Sequence, residues 1–187
     1  TFVVKLGGEV VRSAALPDLA ADLHEIVASG VRVVIVHGGG PQATELSTRL
    51  GMVPTIVGGR RVTDAATLDV MKMTVAGQVN VDLCAALVRA GARPVGLHGA
   101  SGPVIVATRR PPKVVAGAGP EAVDFGHVGD VIGVSGELLS LLSSNGYLPV
   151  LACLGAGTDG AIFNINADTV ANQVAIALQA DGLLLVT

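Results

Sequence analysis

At 187 residues the chain suits one domain or slightly more, since domains run roughly 100–200 residues. Half of it is hydrophobic and only 14% charged, which excludes intrinsic disorder and supplies ample core. A net charge of −3 and 2% aromatic residues argue against a basic, base-stacking nucleic-acid surface, and no apolar run approaches the roughly 18 residues of a membrane span, so the composition reads as a soluble globular protein.

Phe2 to Leu6 is short, β-branched and stopped by Gly7-Gly8, which predicts a buried strand entering a tight turn. Behind Pro17-Asp18, Leu16, Leu19, Leu23, Ile26 and Val27 recur at helical spacing, and Gly30 ends the run. Val31 to Val36 is apolar at almost every position, as in a strand covered on both faces. Pro41 opens a helix that closes at Gly51. After Thr63-Asp64 a long helix is expected, with Leu68, Met71, Val75, Val79, Leu83 and Leu87 on one face and Gly91 capping it. Gly77 within it suggests close packing or the approach of a ligand.

Pro94–Leu97 and Val104–Ala107 read as strands, and Arg109 to Gly119 as an exposed hairpin or loop. A capped helix follows from Ser135 to Asn145, then a strand over Leu148–Leu154, a helix near Ala167–Ala180, and a strand over Leu183–Val186. Strands alternating with helices predict a three-layer αβα sandwich around a mainly parallel sheet. Ligands then gather at the carboxyl ends of the strands. The last strand ends at Thr187 without a helix behind it, so the sequence reads as part of a longer chain.

Cys84 and Cys153 lie far apart in apolar settings and read as core residues rather than a disulfide or metal pair. The four histidines are scattered without metal-ligand spacing, so no metal site is expected. The N-terminus carries no secretion signal, which makes the cytoplasm the expected compartment.

Three stretches carry chemistry. Val36-His37-Gly38-Gly39-Gly40-Pro41-Gln42 places three glycines between a strand and a proline-started helix, a pattern that lets free backbone N–H groups approach a phosphate. Lys5, ahead of Gly7 and Gly8, is charged within a buried strand; it either snorkels to water or delivers its ammonium to that phosphate. In Asn164-Ile165-Asn166-Ala167-Asp168, alternation aims both asparagines to one side while Asp168 enters the first turn of a helix. Asp168 there is either a cap or a carboxylate that orients Lys5 or sits near magnesium. Arg61 of the Arg60-Arg61 pair either forks onto a substrate carboxylate or lies in a solvated loop. Gly155, Gly157 and Gly160 fit a dinucleotide-binding spacing, but extended residues rather than a helix follow, which speaks against NAD.

Together these stretches resemble the amino-acid kinase family, and within it the acetylglutamate kinases. Arg61-Val62-Thr63-Asp64, Gly77-Gln78-Val79-Asn80, Asp124 to Asp130 and Asn164 to Val170 match as well, in the family's order across nearly the whole chain. The resemblance implies that MgATP phosphorylates the side-chain carboxylate of N-acetyl-L-glutamate, a step of arginine biosynthesis. It also implies roles. Lys5 would neutralise the transferring phosphoryl group and, with Gly7 and Gly8, meet the nucleotide's phosphates. The N–H groups of Gly8, Gly39 and Gly40 would contact phosphoryl and substrate oxygens. Asp168 would orient Lys5, while Arg61 and Asn164 would hold the acceptor. Magnesium would arrive with ATP, with no protein ligands of its own.

The chain would be mostly the acceptor-binding lobe, with a nucleotide-binding lobe expected after residue 187, and a homodimer or higher homo-oligomer is expected from its very apolar long helix. Two departures from the family pattern are Arg60, where an apolar residue is common, and Gly96 to Gly102, which lacks the usual charged residues. Two other readings stay open: a catalytically silent, arginine-sensing kinase domain of an acetylglutamate synthase, and a kinase for the aminoadipate acceptor of lysine biosynthesis.

Overall fold

A computed structural model describes residues 1–115 and 119–187. Its first half runs β1 (Phe2–Leu6), α1 (Gly8–Val11), α2 (Leu16–Ala28), β2 (Val33–His37), α3 (Gly40–Arg49), β3 (Ile56–Val57) and β4 (Arg60–Arg61). A single long helical rod follows, made of α4 (Ala65–Met71), a π-helical segment (Lys72–Val79) and α5 (Asn80–Arg89). Then come β5 (Pro94–Leu97), β6 (Ile105–Arg109), β7 (Lys113–Val114), β8 (Ala122–Val123) and β9 (Gly129–Val134). The chain continues through α6 (Gly136–Ser144), β10 (Leu148–Ala152), β11 (Leu154–Ala156), β12 (Ile162–Asn164), α7 (Ala167–Ala177) and β13 (Gly182–Val186).

The main sheet has the order β13-β1-β2-β10-β5, with every neighbouring pair parallel. All five residues of β2 and of β10 are buried, which is why those strands are apolar without alternation. Burying each Val, Leu or Ile side chain there contributes roughly 1.5–3 kcal/mol. Within a strand, successive side chains point to opposite faces. Val34, Val36 and Leu151 therefore join the core under α6 and α7, while Val33, Ile35 and Val150 join the one under α2 and α5. The αβα sandwich predicted from the sequence is the one observed.

Four expectations need correction. Gly8 does not merely turn the chain but begins the short helix α1. The strand expected over Leu148–Leu154 breaks at Cys153, because β10 belongs to the main sheet while β11 leaves it for a second, mixed sheet ordered β12-β11-β6-β9. The long helix starts and ends as expected, with Asp64 capping it by accepting from Thr67 N at 2.8 Å, yet its middle is π-helical. Gly77 lies in that middle without close packing: a Cβ there would meet only Lys72 O, at 3.7 Å. The exposed hairpin expected after Arg109 is present, the exposed β7 pairing antiparallel with β8 while Arg109 itself ends β6, and residues 116–118 lie outside the described ones. Among the described residues no helix is long and apolar enough to cross a membrane.

Candidate active site

The parallel register brings Leu6, His37 and Ala152 level at the carboxyl end of the sheet. Gly7, Gly38 and Cys153 therefore leave the sheet side by side, and a cavity of about 530 Å³ opens above them. Lys5, Gly7, Gly8, Gly39, Gly40, Arg61, Asn164 and Asp168, the residues singled out in the sequence, all line it. Four basic side chains, Lys5, Arg60, Arg61 and Arg110, face a single carboxylate, Asp168. Such a wall favours an anion.

Lys5 shares the face of Val3, so its side chain emerges under α7 rather than α5. It is 8% exposed, and its Nζ lies 3.0 Å from Asp168 Oδ1. Asp168 is held by the helix start: Asn166 caps α7, its Oδ1 accepting from Asp168 N at 2.8 Å and Thr169 N at 3.1 Å. Asn166 is thus the cap, and Asp168 is the carboxylate beside Lys5. The two sequence alternatives are both realised, on different residues.

The two glycine loops are pinned together. Gly38 N donates to Leu6 O at 3.0 Å, and Gln42 Nε2 donates to Gly8 O at 2.7 Å. A Cβ on Gly8 would come within 2.9 Å of Pro41 Cδ and 3.2 Å of Gly39 Cα, so a side chain there would push the loops apart. The N–H groups of Gly8, Gly39 and Gly40 donate none of the hydrogen bonds found among the described residues. Gly39 and Gly40 sit at the start of α3, where the helix end leaves such donors free.

Arg61 comes from the β3–β4 hairpin, lines the cavity and reaches α3. Its Nη2 donates to Thr44 Oγ1 at 2.7 Å and to Gly40 O at 3.3 Å. Its Nη1 is buried with no partner among the described residues. Desolvation lowers the Arg61 pKa from its ordinary value, yet an arginine stays charged in any case. A buried donor without an acceptor is costly unless a ligand supplies one. Asn164 Nδ2 donates to Thr63 Oγ1 at 3.1 Å, which fixes the amide on the cavity wall.

Two contributors were not singled out by sequence reasoning. Thr63 is fully buried and ties three segments, accepting from His127 N, donating to Phe125 O and bonding Asn164. Arg110 is anchored by Asp130 Oδ1, at 2.6 Å from Nη2 and 2.9 Å from Nε. Its only sequence signal was a pair of arginines in an apparent loop. The partner lies 20 residues on, where periodicity says nothing.

Burial pushes the Cys153 thiol up to about 12, so this cavity-lining sulfur is protonated and a poor nucleophile. Among the described residues no three His, Cys, Asp or Glu side chains gather as a metal cluster. Gly155 to Gly160 form the β11–β12 hairpin, with Gly157 N donating to Ala161 O, and no helix opens there to receive a pyrophosphate.

A lysine and two glycine loops around an anion-favouring cavity at the carboxyl end of a parallel sheet place the chain in a class of α/β proteins, and the whole chain, residues 1–187, matches the amino acid kinase family. It belongs to that family. Among individual relatives, the acetylglutamate kinase of Sorangium cellulosum (strain So ce56) is 66% identical over 186 residues, which cover 100% of this chain and 66% of that protein. The acetylglutamate kinase of Anaeromyxobacter dehalogenans (strain 2CP-C) is 60% identical over 187 residues, 69% of its length. The chain thus spans about two thirds of the curated relatives it matches. Among solved structures, N-acetylglutamate synthase from Neisseria gonorrhoeae, complexed with coenzyme A and N-acetyl-glutamate, superposes with a TM-score of 0.81 at 27% identity, over 100% of this chain and 41% of that one.

Proposed function

We propose that this chain forms the acceptor-binding lobe of an acetylglutamate kinase, transferring the γ-phosphoryl group of ATP to the side-chain carboxylate of N-acetyl-L-glutamate. The observation that carries this reading is the convergence of Lys5, three unbonded glycine N–H groups and the buried, unpartnered Arg61 Nη1 on one cavity. In the reaction a carboxylate oxygen attacks the γ-phosphorus, the bond to the bridging oxygen breaks, and ADP leaves. The nucleophile is already ionised at neutral pH, so no general base is required. What the protein must do is place the acceptor and stabilise charge on the moving oxygens.

Arg61 would take the acceptor's α-carboxylate through its free Nη1, with Asn164 also on the cavity wall. Lys5, aligned by Asp168, would neutralise the transferring group, and the Gly8, Gly39 and Gly40 amides would hold its oxygens. The phosphate-facing end of ATP would rest against Gly7, Gly8 and Lys5, residues that fit it by charge and open backbone. Magnesium would be held by ATP and water, since Asp168 is the one carboxylate on the wall and already partners Lys5. Consuming a cellular metabolite and ATP suits the cytoplasm. A homodimer would cover the exposed Met73, Val81 and Val88 of the long helix.

The kinship to an acetylglutamate synthase keeps an arginine-sensing role in view, but a sensor has no use for a phosphoryl cradle. An aminoadipate acceptor differs by one methylene, worth about 1–3 kcal/mol of discrimination, and is decided by assay. Incubating the full gene product with ATP, hydroxylamine and either acceptor is expected to trap a hydroxamate from N-acetyl-L-glutamate, with matching ADP. Arginine binding without ADP formation from either acceptor would contradict the proposal.

A further inference from the structure

One buried polar cluster lies outside the cavity and has no part in the reaction drawn above. His37, at the end of β2, is fully buried and shares the face of Val33 and Ile35, toward α5. Its Nδ1 lies 2.9 Å from Gly38 O and its Nε2 2.9 Å from Asn80 Nδ2. Gly38 O only accepts, so Nδ1 carries the proton and Nε2 accepts from the asparagine. Asn80 Nδ2 also donates to Val150 O at 3.1 Å, which fixes the amide against β10. The ring therefore passes the position of Asn80 to the first carbonyl of the glycine loop.

The same helical rod touches the loop a second time. A Cβ on Gly39 would stand 3.1 Å from Val75 Cγ2 and 3.4 Å from Val79 Cγ2, so the two valines form a pad directly against the loop. Pad and hook share one side of the rod because of its π-helical middle. Asn80 N donates to Val75 O, a bond five residues back that stacks the two residues one turn apart. In an α-helix, five residues would turn them about 140° away from each other. With α-helical winding, Val75 and Asn80 would not both be directed at the glycine loop.

We propose that the π-helical segment is a positioning device for the glycine loop: Val75 and Val79 support Gly39 while Asn80, through His37, pins the Gly38 carbonyl. Asn80 and His37 are positioning residues, not catalytic ones, and they aim the Gly39 and Gly40 N–H groups into the cavity. What the loop does once aimed rests on the acyl-phosphate reading; how it is held does not.

The test combines 15N NMR with steady-state kinetics on the full gene product and its Asn80→Ala and Val75→Ala variants. In the wild type the imidazole nitrogens of His37 should report a neutral ring protonated at Nδ1. Asn80→Ala should move the Gly39 and Gly40 amide resonances and lower kcat by about 10- to 100-fold, with acceptor KM changed far less, as expected when only alignment is lost. Val75→Ala, the milder change, should move the Gly39 resonance and lower kcat several-fold, and it decides the matter if Asn80→Ala does not fold. Unmoved glycine resonances overturn the proposal, and so do moved resonances with an unchanged kcat. A wild type that makes no acyl phosphate defeats the functional reading instead, while the glycine shifts still decide whether the rod holds the loop.

Discussion

Lys5 and His37 sit on adjacent strands, near the same end of the same sheet, both buried and both basic, yet they face opposite layers. Lys5 points under α7, meets Asp168 at 3.0 Å and borders the cavity. His37 points toward α5, meets an amide and a carbonyl, and burial lowers its pKa to about 4. One face keeps a charge and the other suppresses one. The difference follows from strand parity: residues of one parity reach the anion cradle, and those of the other reach a sealed core where only a neutral, fully bonded ring is tolerable. Charge is maintained where a ligand can use it and removed where it would only cost stability.

Breaking the Lys5 side should have the largest effect. Lys5→Ala is expected to lower kcat about 10³-fold, roughly 4 kcal/mol, because on the proposed reading it removes an ammonium beside the transferring group. Unchanged turnover would remove Lys5 from the mechanism. The His37 side should show itself in stability. Its folded pKa lies below the ordinary 6.5, so the unfolded chain binds the proton more readily. The contribution is therefore complete above pH about 6.5 and is lost as pH falls toward about 4, amounting to roughly 3 kcal/mol at the acid end. Urea titrations from pH 7 to 4 should show this loss in the wild type, and a folded His37→Gln variant should show less of it.

Arg61→Ala should raise acceptor KM by about 30-fold, roughly 2 kcal/mol, with a smaller change in kcat, since a charged hydrogen bond to the substrate is lost. Arg61→Lys should rescue little, because a point charge cannot replace the planar fork. The smallest effect is expected of Asn166→Ala: loss of the α7 cap should lower stability by about 1 kcal/mol in denaturant unfolding. A modest fall in kcat should accompany it, because α7 presents Asp168 to Lys5.

The sandwich was legible because its signals are local. Buried strands such as Val33–His37 carry continuous apolar runs, here Val33 to Val36, and glycine or proline marks their ends. The cavity's near wall was legible too, since Lys5 and the glycine triplet each contradict the apolar strand they sit in or follow. What stayed hidden depends on distant pairing. Arg110 acquires its place only when Asp130 is brought beside it, and the break at Cys153 appears only because β11 finds β6 and β12. The π-helical turn was hidden for another reason: its apolar residues still fit a helical stripe, and the extra residue per turn leaves no mark in composition. Gly77 was the nearest signal, and of the two reasons its position suggests, close packing and the approach of a ligand, close packing is not what the structure shows there.

The division of labour between the two cations is tested most directly by calorimetric titration of N-acetyl-L-glutamate into the Lys5→Ala and Arg61→Ala variants, side by side. Acceptor affinity should survive nearly intact in Lys5→Ala and collapse in Arg61→Ala. The reverse pattern, or equal loss in both, would contradict the assignment of one cation to the phosphoryl group and the other to the acceptor.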